Sequence, residues 1–190
     1  MMAILVLFGT LAVAVAAVVI YVIMIYNGLV RMKNQIDKSF SNIDVLLKQR
    51  FDEIPKLVSV CEGYMKHERE TLEAIIKARS MLSTPMKPEE QLAAQDGLSQ
   101  ALRSLFAVAE NYPELKANTS FIQLQVRISE LEDQIADRRE LYNDTVTLYN
   151  TGLEQFPDVL VARAFAFTPR VLWKIDDPGH RADVTISFNR

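Results

Sequence analysis

The sequence predicts an all-α protein: an N-terminal transmembrane helix continuous with an up-and-down antiparallel helical bundle of three long helices plus a short fourth. Three observations lead there. Residues 3–26 form an unbroken apolar run without a charged residue. Beyond it the apolar residues narrow to a stripe with steps of three and four, the spacing of a coiled-coil seam. Two further stripes of the same kind follow, each bounded by prolines. Amphipathic helices must bury their stripes against one another, and an up-and-down bundle is the simplest way to do so.

The first element, residues 1–28, is read as the anchor. A helix across the hydrocarbon core needs about 20 apolar residues, and this run exceeds that length. A cleaved secretory signal would carry a basic leader and a shorter apolar core. No Lys or Arg precedes the run, and it continues well past the small residues at Ala12, Ala14 and Ala16. With no cysteine nearby, a lipid-modified N-terminus is not expected. Arg31, Lys33 and Lys38 follow the run, so the positive-inside rule places the N-terminus outside and the remaining chain in the cytoplasm. Tyr21 and Tyr26, with Arg31 and Lys33, are the expected membrane-interface residues: aromatic rings with a polar tip and cations both suit the headgroup level.

Residues 29–167 read as the bundle. The first stripe runs through Met32, Ile36, Phe40, Ile43, Leu47, Phe51, Ile54, Val58, Cys61, Met65, Leu72, Ile75 and Leu82. Pro55 lies inside it. It removes one helical hydrogen bond and is expected to kink the helix without ending it, since the stripe resumes in phase. Continuous from residue 3 to residue 82, such a helix would be about 120 Å long. Ser83-Thr84-Pro85-Met86-Lys87-Pro88 breaks the pattern. Pro88 with Glu89 and Glu90 opens a second helix, carrying Leu98, Leu102, Leu105 and Ala109 and ending at Tyr112-Pro113. Asn118, Thr119 or Ser120 caps the third. Its stripe is Phe121, Leu124, Ile128, Leu131, Ile135, Arg138, Tyr142, Val146, Tyr149, Leu153 and Phe156, with Arg138 a cation at a seam position. A short fourth helix reaches Phe167. The tail, residues 168–190, contains strand periodicity at 182–188. That strand is either disordered, as untethered termini tend to be, or available to pair with a partner.

Composition narrows the chemistry. The chain has 190 residues and 49% hydrophobic content, much of the excess in its first 26 positions. The net charge of −3 gives no footprint for nucleic acid. A single cysteine, Cys61, excludes an intrachain disulfide and suits a reducing compartment. His67-Glu68 begins a zinc-protease pattern, but Thr71 stands where the second histidine is needed. Glu-x-x-His pairs for a di-iron bundle and glycine-rich phosphate loops are both missing from the sequence. No catalytic, metal or cofactor-binding residues are therefore assigned. Cys61 reads as a small buried hydrophobe.

The polar residues at or beside the seams are the candidate site: Asp44, Arg50, Arg79, Arg138, Arg139, Asn143 and Asn150. Tyr142-Asn143 and Tyr149-Asn150 are seven apart, which puts both tyrosines on one face and both asparagines beside it. Such residues either fix helix register and partner choice or line a polar groove for a peptide or small ligand. Buried polar groups in seams favour the first reading. Arg163, Phe165, Phe167, Arg170, Trp173 and Lys174 mix aromatic and basic character, suited to packing onto the bundle or docking on a membrane surface.

An ordered series of short motifs carries a resemblance. Tyr26-Asn27-x-Leu29-Val30 is followed by Ile43-Asp44-Val45-x-Leu47-x-x-Arg50 and Ile54-Pro55-x-Leu57-Val58. Tyr64-x-x-His67-Glu68, Ala78-Arg79 and Tyr112-Pro113-x-Leu115-Lys116-Ala117 come next. Arg139-x-x-Tyr142-Asn143, Tyr149-Asn150 and Phe156-Pro157 complete it. From about Tyr26 to Phe167 the chain resembles the LemA family of bacterial membrane proteins. The resemblance implies one N-terminal membrane helix, a helical-bundle domain and no established enzymatic activity. It also implies a link to membrane organisation, since one branch helps organise magnetosome membranes, and family genes often neighbour those for membrane-remodelling or membrane-protease proteins.

The expected function is a non-catalytic, membrane-anchored scaffold of the bacterial inner membrane. It would self-associate as a homo-oligomer or organise membrane-protein partners, with the lipid bilayer as its other partner and no cofactor. The alternative is a regulatory adaptor for a membrane protease or envelope-stress system, and an enzyme is the least favoured reading.

Overall fold

The structure, a computed structural model, describes residues 1–83 and 88–173. It is all-α. Six helices lie among the described residues: α1 (Met2–Glu62), α2 (Arg69–Leu82), α3 (Pro88–Ala109), α4 (Pro113–Lys116), α5 (Thr119–Glu154) and α6 (Asp158–Ala164). The predicted strand at 182–188 and Lys174 fall outside the described residues.

The first helix is shorter than its stripe suggests. It ends at Glu62, and a turn through Gly63 and Tyr64 leads to α2 at Arg69. Met65 is buried in that turn, with its N–H donating to the Cys61 carbonyl at 2.8 Å. The apolar spacing from Cys61 through Met65 to Leu72 happens to stay in phase across the break, so periodicity alone runs the two helices together. α4 is a single turn absent from the sequence reading. Pro113 stands at its first position and Leu115 is fully buried. Phe156, assigned to the third stripe, is exposed in the turn after α5.

The chain divides into two compact units. The first comprises Met1–Arg50 and Ile128–Leu172; the second comprises Phe51–Arg127 and, among the described residues of the tail, Trp173.

In the first unit, the part of α1 up to Arg50 lies antiparallel to α5. Arg50 pairs with Glu132, the rings of Phe40 and Tyr142 lie 6.1 Å apart, and Leu29 reaches the position of Gly152. Going down α1 from Arg50 to Phe40 therefore matches going up α5 from Glu132 to Tyr142, and Leu29 continues the register to Gly152. Leu29, Ile36, Val146, Tyr149, Leu153 and Ala162 form the apolar cluster, with Ile25, Tyr142 and Phe167 packed on it. Residues 3–21, by contrast, are exposed throughout.

α6 ends in a Schellman motif. The Phe167 N–H donates to the Ala162 carbonyl at 2.9 Å and the Ala166 N–H to the Arg163 carbonyl at 3.2 Å. Ala166 supplies the left-handed residue this closure requires, with φ 54°. Ala162 and Phe167 share the apolar cluster, which is the hydrophobic contact that usually accompanies the motif.

In the second unit, Ile54, Leu57, Cys61, Ile75, Leu105 and Leu115 are among the fully buried residues, and α2 packs against α3. α5 is capped as the sequence suggests: Asn118 Oδ1 accepts the Phe121 N–H at 3.1 Å. α1 passes through Pro55 as helix. Proline has no N–H, so the Phe51 carbonyl, four residues earlier, loses its helical donor. Arg79 supplies a replacement. Its Nε donates to that carbonyl at 3.3 Å, and its guanidinium lies 3.9 Å from the centre of the Phe51 ring.

Candidate functional site

The polar residues singled out from the sequence separate by location. Within the first unit Arg50 is 1% exposed and forms an ion pair with Glu132. Such a pair fixes one helix against another, because removing the carboxylate takes its counter-charge from a buried guanidinium. Asp44 on the same helix is exposed. Arg138 is also exposed, and Arg139 is buried in its place. The seam steps from Ile135 by four to Arg139 and then by three to Tyr142. Periodicity predicts Arg138 there, with the two steps in the opposite order. Asn143 and Asn150 are half-buried. In the second unit Arg79 is half-buried over Phe51.

The Tyr-Asn repeat of α5 has a defined target. After α6 residues 167–172 have no regular secondary structure. Such a segment makes no ladder of its own, so its main-chain groups need partners. Tyr149 donates its hydroxyl to the Thr168 carbonyl at 3.2 Å, and Tyr142 donates to the Val171 carbonyl at 3.1 Å. Between them Asn150 does two jobs. Its Nδ2 donates to the Arg170 carbonyl at 2.8 Å and its Oδ1 accepts the Arg170 N–H at 2.8 Å. An amide is the side chain that offers a donor and an acceptor side by side, and the fixed polarity of the Arg170 main chain determines which way it points. The Arg170 side chain reaches Asp37 on α1 at 3.3 Å. Burial raises the pKa of both tyrosines, with Asp37 acting in the same direction and Arg170 against it, so both stay neutral donors.

The spacing of seven placed the two tyrosines on one face, as observed. What sequence reasoning missed was their target, because a hydrogen bond to a main chain leaves no residue-type signal at the other end. Of the aromatic and basic tail residues, Phe167 packs onto the apolar cluster and Trp173 is buried, whereas Phe165 remains exposed.

Tyr26 closes the apolar run and is half-covered. Its ring lies 4.8 Å from that of Phe165 and 5.6 Å from that of Phe167. Tyr21, Arg31 and Lys33 are exposed. α1 is, among the described helices, the one long and apolar enough to cross a membrane, and none of its apolar window is buried.

The second unit offers little for chemistry. His67 is exposed in the turn before α2. The Tyr112 hydroxyl donates to Glu68 at 3.0 Å, and burial first and that carboxylate second raise its pKa. Asn118 Nδ2 donates to the Tyr64 hydroxyl at 3.0 Å. Burial pushes the Cys61 thiol up to about 12, which leaves it protonated and a poor nucleophile near neutrality. Among the described residues no group of three or more His, Cys, Asp and Glu is placed to hold a metal ion.

Fold and site together define an all-α protein with an exposed, membrane-length apolar helical segment, whose seam tyrosines and asparagine serve the protein's own main chain. The chain belongs to the LemA family, whose profile matches residues 39–188. It is 33% identical over 134 residues to protein LemA of Metamycoplasma hominis, covering 68% of this chain and 60% of that protein. It is 25% identical over 170 residues to magnetosome protein MamQ 2 of Paramagnetospirillum magneticum, covering 76% and 62%. With magnetosome protein MamQ of Magnetospirillum gryphiswaldense the identity is 24% over 176 residues, covering 77% and 65%. The chain thus spans between 60% and 65% of the length of these curated relatives.

Proposed function

We infer that this protein is a non-catalytic scaffold anchored in a membrane, which self-associates or holds partner membrane proteins through the outer faces of its helices. One observation carries the reading. α1 is a single helix in which exposed apolar residues give way, without a break, to Leu29, Ile36 and Ile43 in the protein core. A helix apolar on every side belongs in hydrocarbon, and one with a single apolar stripe belongs against protein. An anchor continuous with a core helix fixes what it carries at a set height and orientation, which suits positioning better than tethering. The absence of a catalytic constellation in the sequence and the family resemblance support the same reading. The positive flank at Arg31, Lys33 and Lys38 supports a cytoplasmic bundle and a single-pass topology in the bacterial inner membrane.

Crosslinking in native membranes tests the scaffold reading. Recovery of homo-oligomers or of discrete membrane-protein partners is expected, and monomer alone overturns it. A flexible Gly-Ser linker inserted after Gly28 tests the rigid coupling. The protein should stay membrane-bound and folded while its crosslinking pattern is lost. An unchanged pattern would reduce residues 3–26 to a tether.

A further inference from the structure

We propose that the turn after α5 and the outer face of α6 form a second membrane contact, seated on the lipid headgroup–acyl boundary beside the point where α1 enters the bilayer. The proposal rests on the reading that residues 3–26 cross the membrane.

Its first support is register. In the first unit α5 runs antiparallel to α1, and Gly152 lies opposite Leu29. α5 ends at Glu154, two residues further on, and so comes level with the last residues of the apolar run. The second support is contact. Phe165, immediately after α6, lies against Tyr26, the last residue of that run, with ring centres 4.8 Å apart. α6 is therefore at the height of the headgroups whenever Tyr26 is.

The third support is exposure. α6 buries Val161 and Ala162 against the protein and turns Leu160 outward. Phe156 is 81% exposed, Leu160 59% and Phe165 55%. Three large apolar side chains exposed within ten residues of chain are unfavourable on a soluble surface. The same three at an interface would bury their apolar parts about 5–10 Å into the headgroup region. Arg163 is exposed on the same short helix, and Arg31 and Lys33 on α1, which matches anionic headgroups; Glu154, exposed at the end of α5, and Asp158, half-buried in the first turn of α6, are opposing charges. Lipid is the favoured occupant because this patch is continuous, through Tyr26, with the exposed apolar segment of α1.

Nitroxide labels on the full chain, reconstituted in phosphatidylcholine–phosphatidylglycerol vesicles, provide the test. Labels are placed singly through Phe156→Cys, Leu160→Cys, Leu148→Cys and Val13→Cys. Cys61 is buried and can be left in place. Leu148 is the control. It is 65% exposed on α5, six residues before the helix ends and so about 9 Å further from that end. Collision with oxygen, which concentrates in lipid, is compared with collision with a water-soluble nickel chelate. The oxygen-to-nickel ratio at positions 156 and 160 should exceed that at 148 several-fold and approach that at 13. A ratio at 156 and 160 equal to that at 148, with 13 still lipid-like, overturns the proposal and leaves the membrane-crossing reading standing. Protection from both reagents at 156 and 160 overturns it in favour of a protein covering the patch. A water-like ratio at 13 removes the membrane-crossing reading and this inference with it.

Discussion

The two units use polar side chains differently. In the first, α5 lends Tyr142, Tyr149 and Asn150 to an irregular segment that has no hydrogen-bonded ladder of its own, and Arg50 joins α1 to Glu132. In the second, the buried residues among those described are apolar apart from Gln95, and Arg79 answers a single defect, the carbonyl that Pro55 leaves without a donor. One unit uses polar groups to attach a piece of chain; the other uses one to mend a helix. In both, the best-placed of these seam residues, Arg50, Arg79 and Asn150, are occupied with the protein's own carboxylate or main-chain groups. That favours a structural role for them and moves the search for partners to exposed surfaces.

Four substitutions and one titration would sharpen this contrast, each read as a change in urea or thermal unfolding in detergent unless stated otherwise. The largest effect is expected from Glu132→Ala, which leaves Arg50 charged and buried and should cost about 3 kcal/mol, the low end for such pairs because Glu132 keeps some solvent contact. A loss under about 1 kcal/mol would mean the pair behaves like a surface contact.

Asn150→Asp retains the acceptor for Arg170 but replaces the donor with a second oxygen facing its carbonyl. The expected loss is about 2 kcal/mol near neutral pH, the cost of a stranded polar group. It should shrink in acid, where the protonated carboxyl regains a donor. A pH-independent loss would show that the amide's two-way bond is not what matters.

Arg79→Met should cost about 2 kcal/mol through the lost charged hydrogen bond and ring contact. Repeating it in a Pro55→Ala background makes the test specific, because alanine restores the missing N–H. The penalty should then fall by about half, and additive effects would rule out the repair.

Ala166→Gly should stabilise the first unit by about 1 kcal/mol, since glycine adopts the left-handed conformation without the cost alanine bears. Destabilisation would mean that the lost methyl group or the extra freedom of the unfolded chain outweighs that relief.

Near neutral pH the smallest effect is expected at Cys61. Its folded-state pKa lies above its ordinary value of 9.0, at about 12, so the folded state holds the proton more tightly. The associated stability is complete below pH 9.0 and is lost as pH rises toward 12. Thiol labelling at pH 8 should be slow in the folded protein and fast in urea. Rapid labelling of the folded form would show the site to be open.

Much of the architecture is legible in sequence because it rests on composition and period. The apolar run, the helix start at Pro88, the Asn118 cap and the seven-residue spacing of Tyr142 and Tyr149 are all local signals. The end of α1 is not, since Met65 fills the turn at the spacing a helix would have used. Better signals were present: Gly63, and the polar stretch from Lys66 to Thr71 with no apolar residue in it. Arg138 and Arg139 are adjacent cations, and a stripe alternating three and four admits either order of steps, so only packing distinguishes them. The roles of Arg79 and Asn150 depend on partners 28 and 20 residues away in the chain and on main-chain atoms, for which residue identity carries no code.

The attachment of residues 168–171 has a consequence for how that stretch can vary. Tyr142, Tyr149 and Asn150 grip carbonyls and one N–H, groups that almost every amino acid presents alike. Most replacements there would leave the grip intact. The exception is proline at position 170, where the N–H is required, although proline already stands one residue earlier, at Pro169, where none of these bonds needs it. The lock resides in α5, and the stretch it holds is nearly free to be rewritten.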